Sequence, residues 1–240
     1  MNKRDGRGII LGLLLTGFGG QFATATESTA ERRVEIGAVA TRDPMPTVWI
    51  LDRLDGVGGY STRILGAPQA EAGALVFDGE DDGIILPTNP LAHLQAFTIQ
   101  LLFRPAANGP REQRFFHVED TEGWRALLEL RVEESQWWLD TFLGSREVGA
   151  GRVLIDAERK HATDRYYWAA LRYDGETMTA FVDGLEEAQG RVRWGPMGEG
   201  QTSLGVRLNR VSWYRGAIRR VEISPVALPA EQLHRQPSPE

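Results

Sequence analysis

The sequence contains no cysteine. That absence excludes disulfides, thiolate metal sites, a cysteine nucleophile and a lipid-modified N-terminal cysteine, so a folded form must be held together by core burial alone. Long apolar runs are also missing. Past the first two dozen residues, no stretch approaches the ~18 unbroken apolar residues of a membrane-spanning helix. Positive charge is not in excess, because 27 Lys and Arg face 33 Asp and Glu for a net charge of −6. This balance argues against nucleic acid as a partner. Histidine is scarce, at four residues, and the absence of any H-x-H or H-E-x-x-H pair disfavours a histidine-rich transition-metal site. Ser135, Ser145, Ser203 and Ser212 lack a G-x-S-x-G context. Gly56-Val57-Gly58-Gly59 lacks the Lys-Ser/Thr of a phosphate-binding loop and reads as a turn. No Asn-x-Ser/Thr acceptor occurs, and almost nothing repeats at helical period.

What is present begins with a leader. Lys3, Arg4 and Arg7 precede an apolar run from Ile9 to about Gly20, followed by Ala23-Thr24-Ala25. A charged region, a short apolar region and small residues at a cleavage point predict a signal peptide over 1–25 and export to a bacterial periplasm or the exterior. Its removal takes away three positive charges and one negative, moving the net charge from −6 to −8. Residues 26–47 carry Pro44 and Pro46 and read as a linker. A domain over 48–234 and a disordered tail over 235–240 complete the expected organisation.

Within the domain the pattern is that of short strands. Residues 166–173 and 178–182 flank Asp174-Gly175-Glu176-Thr177, and a second Asp183-Gly184 ends the return run. Asp-Gly is a strong hairpin signal because glycine supplies positive φ without steric cost. Residues 97–104 alternate, with Phe97, Ile99, Leu101 and Phe103 on one side and Thr98, Gln100, Leu102 and Arg104 on the other. Further strands are expected at 48–54, 114–120, 125–132, 137–143, 191–195 and 202–208, with short helical turns at 89–94 and 229–233. This spacing predicts an all-β fold, a two-sheet antiparallel sandwich.

The YYWAALRYDGETMTAFVDG stretch, LVFDGEDDGIILP at 75–87 and YRGAIRRVEISPVALPAEQL at 214–233 together resemble the laminin-G-like members of the concanavalin A-like lectin and glucanase family. The match lies in Ala170, Tyr173, Asp174, Gly175, Val182, Asp183 and Gly184. Tyr166, Trp168 and Phe181 depart from that pattern, standing where it usually has Trp, His and Tyr. The resemblance implies a jelly roll of two curved sheets that presents a saccharide on its concave sheet, and it raises calcium as a cofactor. Asp78-Gly79-Glu80-Asp81-Asp82-Gly83 is the densest carboxylate cluster. It fails as an EF-hand because loop position twelve falls on Asn89 and no helices flank it. On the resemblance, Asp78 and Asp183 are the metal candidates; the alternative is a turn capped by its own Asp side chains.

Polar groups set into apolar strands form the other constellation. Gln100, His117, Glu129, Arg131 and Asp140, with Trp138 (or Trp137) and Tyr167, are the residue kinds that recognise sugars. Flat rings stack on C–H faces, while amides, carboxylates and guanidinium groups take the hydroxyls. Strict alternation puts Leu127, Glu129 and Arg131 on one face and Leu128, Leu130 and Val132 on the other, and groups Phe115 with His117 and Glu119. The competing reading is an outward sheet face laced with cross-strand ion pairs. The E-x-D-x-x-E strand of laminarinase-type hydrolases is absent, the nearest text being Glu119-Asp120-Thr121-Glu122. Alginate-lyase residue kinds occur, but in the wrong order. The expectation is therefore a non-catalytic module that binds a polysaccharide or glycoconjugate. The alternatives are a lyase or hydrolase on the same fold and an adhesion module for an envelope protein.

Overall fold

A computed structural model describes residues 45–145 and 151–236. The expected leader and its cleavage point lie outside the described residues, as does most of the expected linker. Sixteen strands follow in order: β1 Thr47–Ile50, β2 Arg63–Leu65, β3 Gln69–Glu71, β4 Ala74–Asp78, β5 Gly83–Leu86, β6 Phe97–Pro105, β7 Glu112–Asp120 and β8 Arg125–Glu133. Then come β9 Gln136–Gly144, β10 Gly151–Ile155, β11 His161–Ala162, β12 Tyr167–Tyr173, β13 Thr177–Val182, β14 Leu185–Arg191, β15 Gly200–Leu204 and β16 Arg215–Ser224, before a 3₁₀ turn at Ala230–Gln232. They form two eight-stranded sheets. Sheet I runs β14-β13-β12-β6-β16-β4-β3 with β1 also on β16; sheet II runs β10-β9-β8-β7-β15-β5-β2 with β11 also on β9. Every strand pairing is antiparallel. The fold is the expected all-β sandwich of jelly-roll type.

The core follows from period-two side-chain geometry. Phe97, Ile99, Leu101 and Phe103 of β6, with Tyr167, Ala169, Leu171 and Tyr173 of β12, face Phe115, Leu128, Leu130 and Trp137 from the other sheet, all in one apolar cluster. Phe103 stacks on Phe115 at 4.4 Å and meets Trp137 edge-on at 5.1 Å, so aromatic packing ties the sheets together.

The turn chemistry works as anticipated. The Asp174 carboxylate accepts the Glu176 and Thr177 amides, which holds its carboxyl below the usual range. Asp183 and Gly184 both have positive φ, 48° and 72°, the pairing a type I′ hairpin requires between β13 and β14.

Several features differ from the expected layout: β2, β3, β10 and β11 are additional short strands, and the strands expected at 48–54 and 202–208 stop at Ile50 and Leu204. Strand β14, LEEAQGR, is polar, and pairing along β13 rather than β propensity makes it a strand. The strand expected at 191–195 lies mostly past its end. Residues 89–94 are turns without a helix. No helix among the described residues is long and apolar enough to cross a membrane.

After β16 the chain crosses the outer face of sheet I. Thr98 Oγ1 accepts the Leu228 amide and donates to the Val226 carbonyl, while Leu228, Ala230 and Leu233 pack on Ala170 and Phe181. His234 stacks on Trp168 at 4.2 Å. This strap covers part of that outer face, while the outer face of sheet II carries the polar groups set into β7, β8 and β9.

Candidate functional site

Three adjacent strands, β7, β8 and β9, build the outer face of sheet II. Along β8, Leu128, Leu130 and Val132 enter the core, so Arg125, Leu127, Glu129 and Arg131 point outward. Register places Glu129 opposite Asp140 and Arg131 opposite Trp138. In β7 simple alternation fails. A register shift between Arg114 and Phe116 puts both Phe115 and Phe116 into the core and swings Arg114 outward beside Glu129. One extra residue in a bulge re-aims its neighbours in this way. His117 and Glu119 lie on the outward face, and the expected grouping of Phe115 with them is corrected.

The outward groups form a lattice. Arg114 Nη2 lies 3.1 Å from Glu129 Oε2, and Arg131 Nη2 donates to Asp140 Oδ2 at 2.7 Å. Glu112 bridges the two guanidinium groups, 3.2 Å from Arg114 and 2.5 Å from Arg131. Arg114 also donates to Ser212 Oγ. Around this lattice opens a recess of about 180 Å³ lined by Arg114, Arg125, Arg131, Arg207, Glu129 and Asp140, with Leu127, Phe142 and Val153 as its apolar wall. Burial dominates the electrostatics. It pushes the Glu129 carboxyl up to about 7, helped by the charge on Asp140 and opposed by Arg114. Asp140 is raised for the same reason against the pull of Arg131. Glu112, nearer solvent, is held low by Arg131 and Arg114. Buried Glu129 and Glu112 at the solvent edge are thus shifted in opposite directions, and a protonated Glu129 can donate as well as accept hydrogen bonds.

Of the seven residues expected to bind a ligand, the recess gathers three, Glu129, Arg131 and Asp140. His117 shares the face but is sealed, 1% exposed, with Nδ1 accepting the Leu208 amide at 3.0 Å. Burial lowers its pKa against the opposing pull of Glu119. Trp138 faces outward as expected, yet it is buried, with Lys160 Nζ 5.5 Å from its ring centroid. Two residues belong elsewhere. Gln100 lies on the outer face of sheet I, where its Oε1 accepts the His234 amide and holds the strap down. Tyr167 is in the core, packed edge-on against Trp137 at 5.1 Å, its hydroxyl donating to the Ala162 carbonyl at 2.7 Å. Its ring is therefore closed to a sugar.

The metal candidates do not form one site. From β13, whose end carries Asp183, to β4, which ends at Asp78, there are four strand spacings, roughly 19 Å at ~4.8 Å each. Asp183 Oδ1 accepts the Trp168 amide. Asp78, Asp81 and Asp82 do offer carboxylate oxygens within 4.8 Å of one another. The turn itself uses three of their six oxygens. Asp78 Oδ1 accepts the amides of Glu80, Asp81 and Asp82, while the two oxygens of Asp82 accept those of Ala67 and Asp78. Three amide bonds hold the Asp78 carboxyl low against partial burial. This donor set fits a capped turn better than the six to eight oxygens calcium takes.

Arg114, Arg125, Phe142, Val153 and Arg207 were not singled out from the sequence. Arg125 stands two residues before Leu127 in the same alternation and was legible there. The bulge hid Arg114. Arg207 sits in a loop, where no periodicity reaches it.

A family model described as the concanavalin A-like lectin/glucanases superfamily, of the laminin-G type, matches residues 78–234. No curated protein matches the chain. Solved structures similar to it include the binding domain of botulinum neurotoxin DC in complex with SialylT, with a TM-score of 0.55 and 11% identity over 78% of this chain and 49% of that one. A structure of botulinum neurotoxin type C, whose cell entry depends on interaction with two ganglioside molecules, matches with the same score, identity and coverage. Domain 4 of AbnA, an extracellular arabinanase from Geobacillus stearothermophilus in complex with arabinotriose, gives a TM-score of 0.52 and 18% identity over 81% of this chain and 88% of that one. The chain spans about half the length of the neurotoxin chains it matches. At these identities the likeness is one of fold.

Proposed function

The chain belongs to the concanavalin A-like lectin/glucanase superfamily, and from that premise we propose that it is a non-catalytic glycan-binding module acting outside the cytoplasm, with its site on the outer face of sheet II. The observation that carries the reading is the Arg–carboxylate lattice around the recess. Arg114, Arg131, Glu129 and Asp140 are pre-oriented by one another and by Glu112. Rigid donors and acceptors of this kind recognise hydroxyl-rich ligands with little ordering cost on binding. Phe142, Leu127 and Val153 supply the apolar wall a sugar ring needs. The saccharides named with the similar neurotoxin and arabinanase structures support the same reading. The charged, apolar and small-residue order of 1–25 supports export.

A second reading, a hydrolase or lyase, is favoured by one observation. Glu129, raised to about 7 beside Asp140, has the character of a general acid. Against it, each carboxyl already engages a guanidinium group.

One experiment separates these readings. The chain is incubated with a panel of insoluble polysaccharides, retention is measured, and the supernatants are assayed for reducing ends and unsaturated-uronate absorbance. Retention without products supports a lectin, and products establish an enzyme. Neither outcome, with capture of an envelope protein instead, leaves an adhesion module.

A further inference from the structure

Four guanidinium groups line the recess against two carboxyls, a formal excess of two positive charges in a chain whose net charge is −6. The local field therefore runs against that of the whole molecule. Recess by recess the contrast holds. The neighbouring hollow on the same face, lined by Glu119, Asp120, Thr121, Gly200, Gln201 and Leu208, contains no basic side chain.

Glu112, which pairs with Arg114 and Arg131 from outside the lining, reduces that excess to one. Arg114 and Arg131 are engaged by Glu112, Glu129 and Asp140, but Arg207 has no ion-pair partner among the described residues. It reaches the recess from the loop after β15, the same loop whose Leu208 seals His117. A second observation is independent of charge. Asp140 is 1% exposed, and while its Oδ2 takes Arg131, its Oδ1 is buried with no protein donor. A buried acceptor left unpaired is costly, and a ligand that supplies a donor gains what the fold leaves unmet. The recess thus asks for two things at once, a hydroxyl for Asp140 Oδ1 and an anionic group for Arg207.

Resting on the glycan-binding reading, we propose that this recess holds a single sugar unit bearing a negatively charged substituent, a carboxylate or a sulfate ester, with Arg207 taking the charge and Asp140 taking a hydroxyl. The volume of about 180 Å³ suits one ring rather than a run of several. Planar guanidinium groups match either anion bidentately. Phe142 and Val153 line the same recess and offer apolar contact to the C–H face of a ring held there.

The test uses matched probes: oligogalacturonate against its carboxyl-reduced form, and dextran sulfate against dextran. Affinities are measured by calorimetry for the wild-type chain and for Arg207→Ala. Arg191→Ala, on sheet I, is the control, and melting temperature is recorded for all three. Charged members should bind about tenfold or more tighter than their neutral partners, the range of a charge-assisted hydrogen bond. Arg207→Ala should erase that preference without shifting the melting temperature, while Arg191→Ala keeps it. Preference confined to one charged probe identifies which anion is meant. Equal affinity within each pair, or a preference untouched by Arg207→Ala, overturns this inference and leaves the glycan reading standing. No binding to any of the four probes overturns both.

Discussion

Glu129 is the residue through which the electrostatics of the sheet II face can be measured. Its carboxyl is raised from 4.5 to about 7, chiefly by burial. The folded chain therefore holds a proton there that the unfolded chain releases near pH 4.5. A group with a raised folded pKa contributes stability that is full below the unfolded pKa and is lost as pH rises through the folded one. Linkage between these two values gives a loss of about 2.5 kcal/mol between pH 5 and pH 8. Other groups titrate in that window, so the quantity to measure is the difference from Glu129→Gln, which keeps the side-chain shape and removes the proton equilibrium. Arg114 retains Glu112 and Ser212 in that variant. Urea unfolding of both proteins at half-unit steps from pH 5 to 8 should show the wild type falling relative to the variant by about 2–3 kcal/mol. In heating experiments that is roughly 5–10 °C for a domain of this size. Curves that stay parallel within about 0.5 kcal/mol, or a wild type that gains on the variant with rising pH, would refute the reasoning that burial outweighs Arg114 at this position.

Three further outcomes follow from the same geometry. His117 should titrate with a midpoint below its ordinary 6.5 by NMR; because the folded form resists the proton, it weakens stability only as pH falls below that value, and a midpoint above 6.5 would show the ring is not sealed. Tyr167→Phe removes the bond to the Ala162 carbonyl and should cost about 1 kcal/mol while leaving glycan affinity unchanged; lost affinity would return Tyr167 to the site. Millimolar calcium should leave the melting temperature where it was, whereas Asp78→Ala, which strips three amides of their acceptor, should lower stability by about 1–2 kcal/mol. A calcium-dependent rise abolished by that substitution would establish a metal site in the turn.

The fold was legible because its signals are local. The Asp-Gly turns, the clean alternation of β6 and the inward and outward faces of β8 each need only a few consecutive residues to declare themselves. The site was legible in part for the same reason. Glu129, Arg131 and Asp140 sit in strands whose alternation is regular, and they do line one recess. Gln100 was correctly read as outward, but which sheet its strand joins is a long-range property, and β6 lies in the sheet opposite β7, β8 and β9. Tyr167 is amphipathic, and its flanking pattern could not tell a core ring with a bonded hydroxyl from an exposed stacking platform. The bulge in β7 defeated period-two reading where it mattered, since two adjacent phenylalanines both turn inward there. Arg207 came from a loop, and only its folded position gives it a role.

The strap over sheet I has a practical corollary. His234 and Gln232 border the same hollow as Met45 and Pro46, so both ends of the described span lie by the face turned away from the recess arginines. A support, a fluorophore or a neighbouring domain joined beyond residue 45 or residue 236 would hold the protein from behind. Its charged hollow would then point toward whatever polymer lies in front.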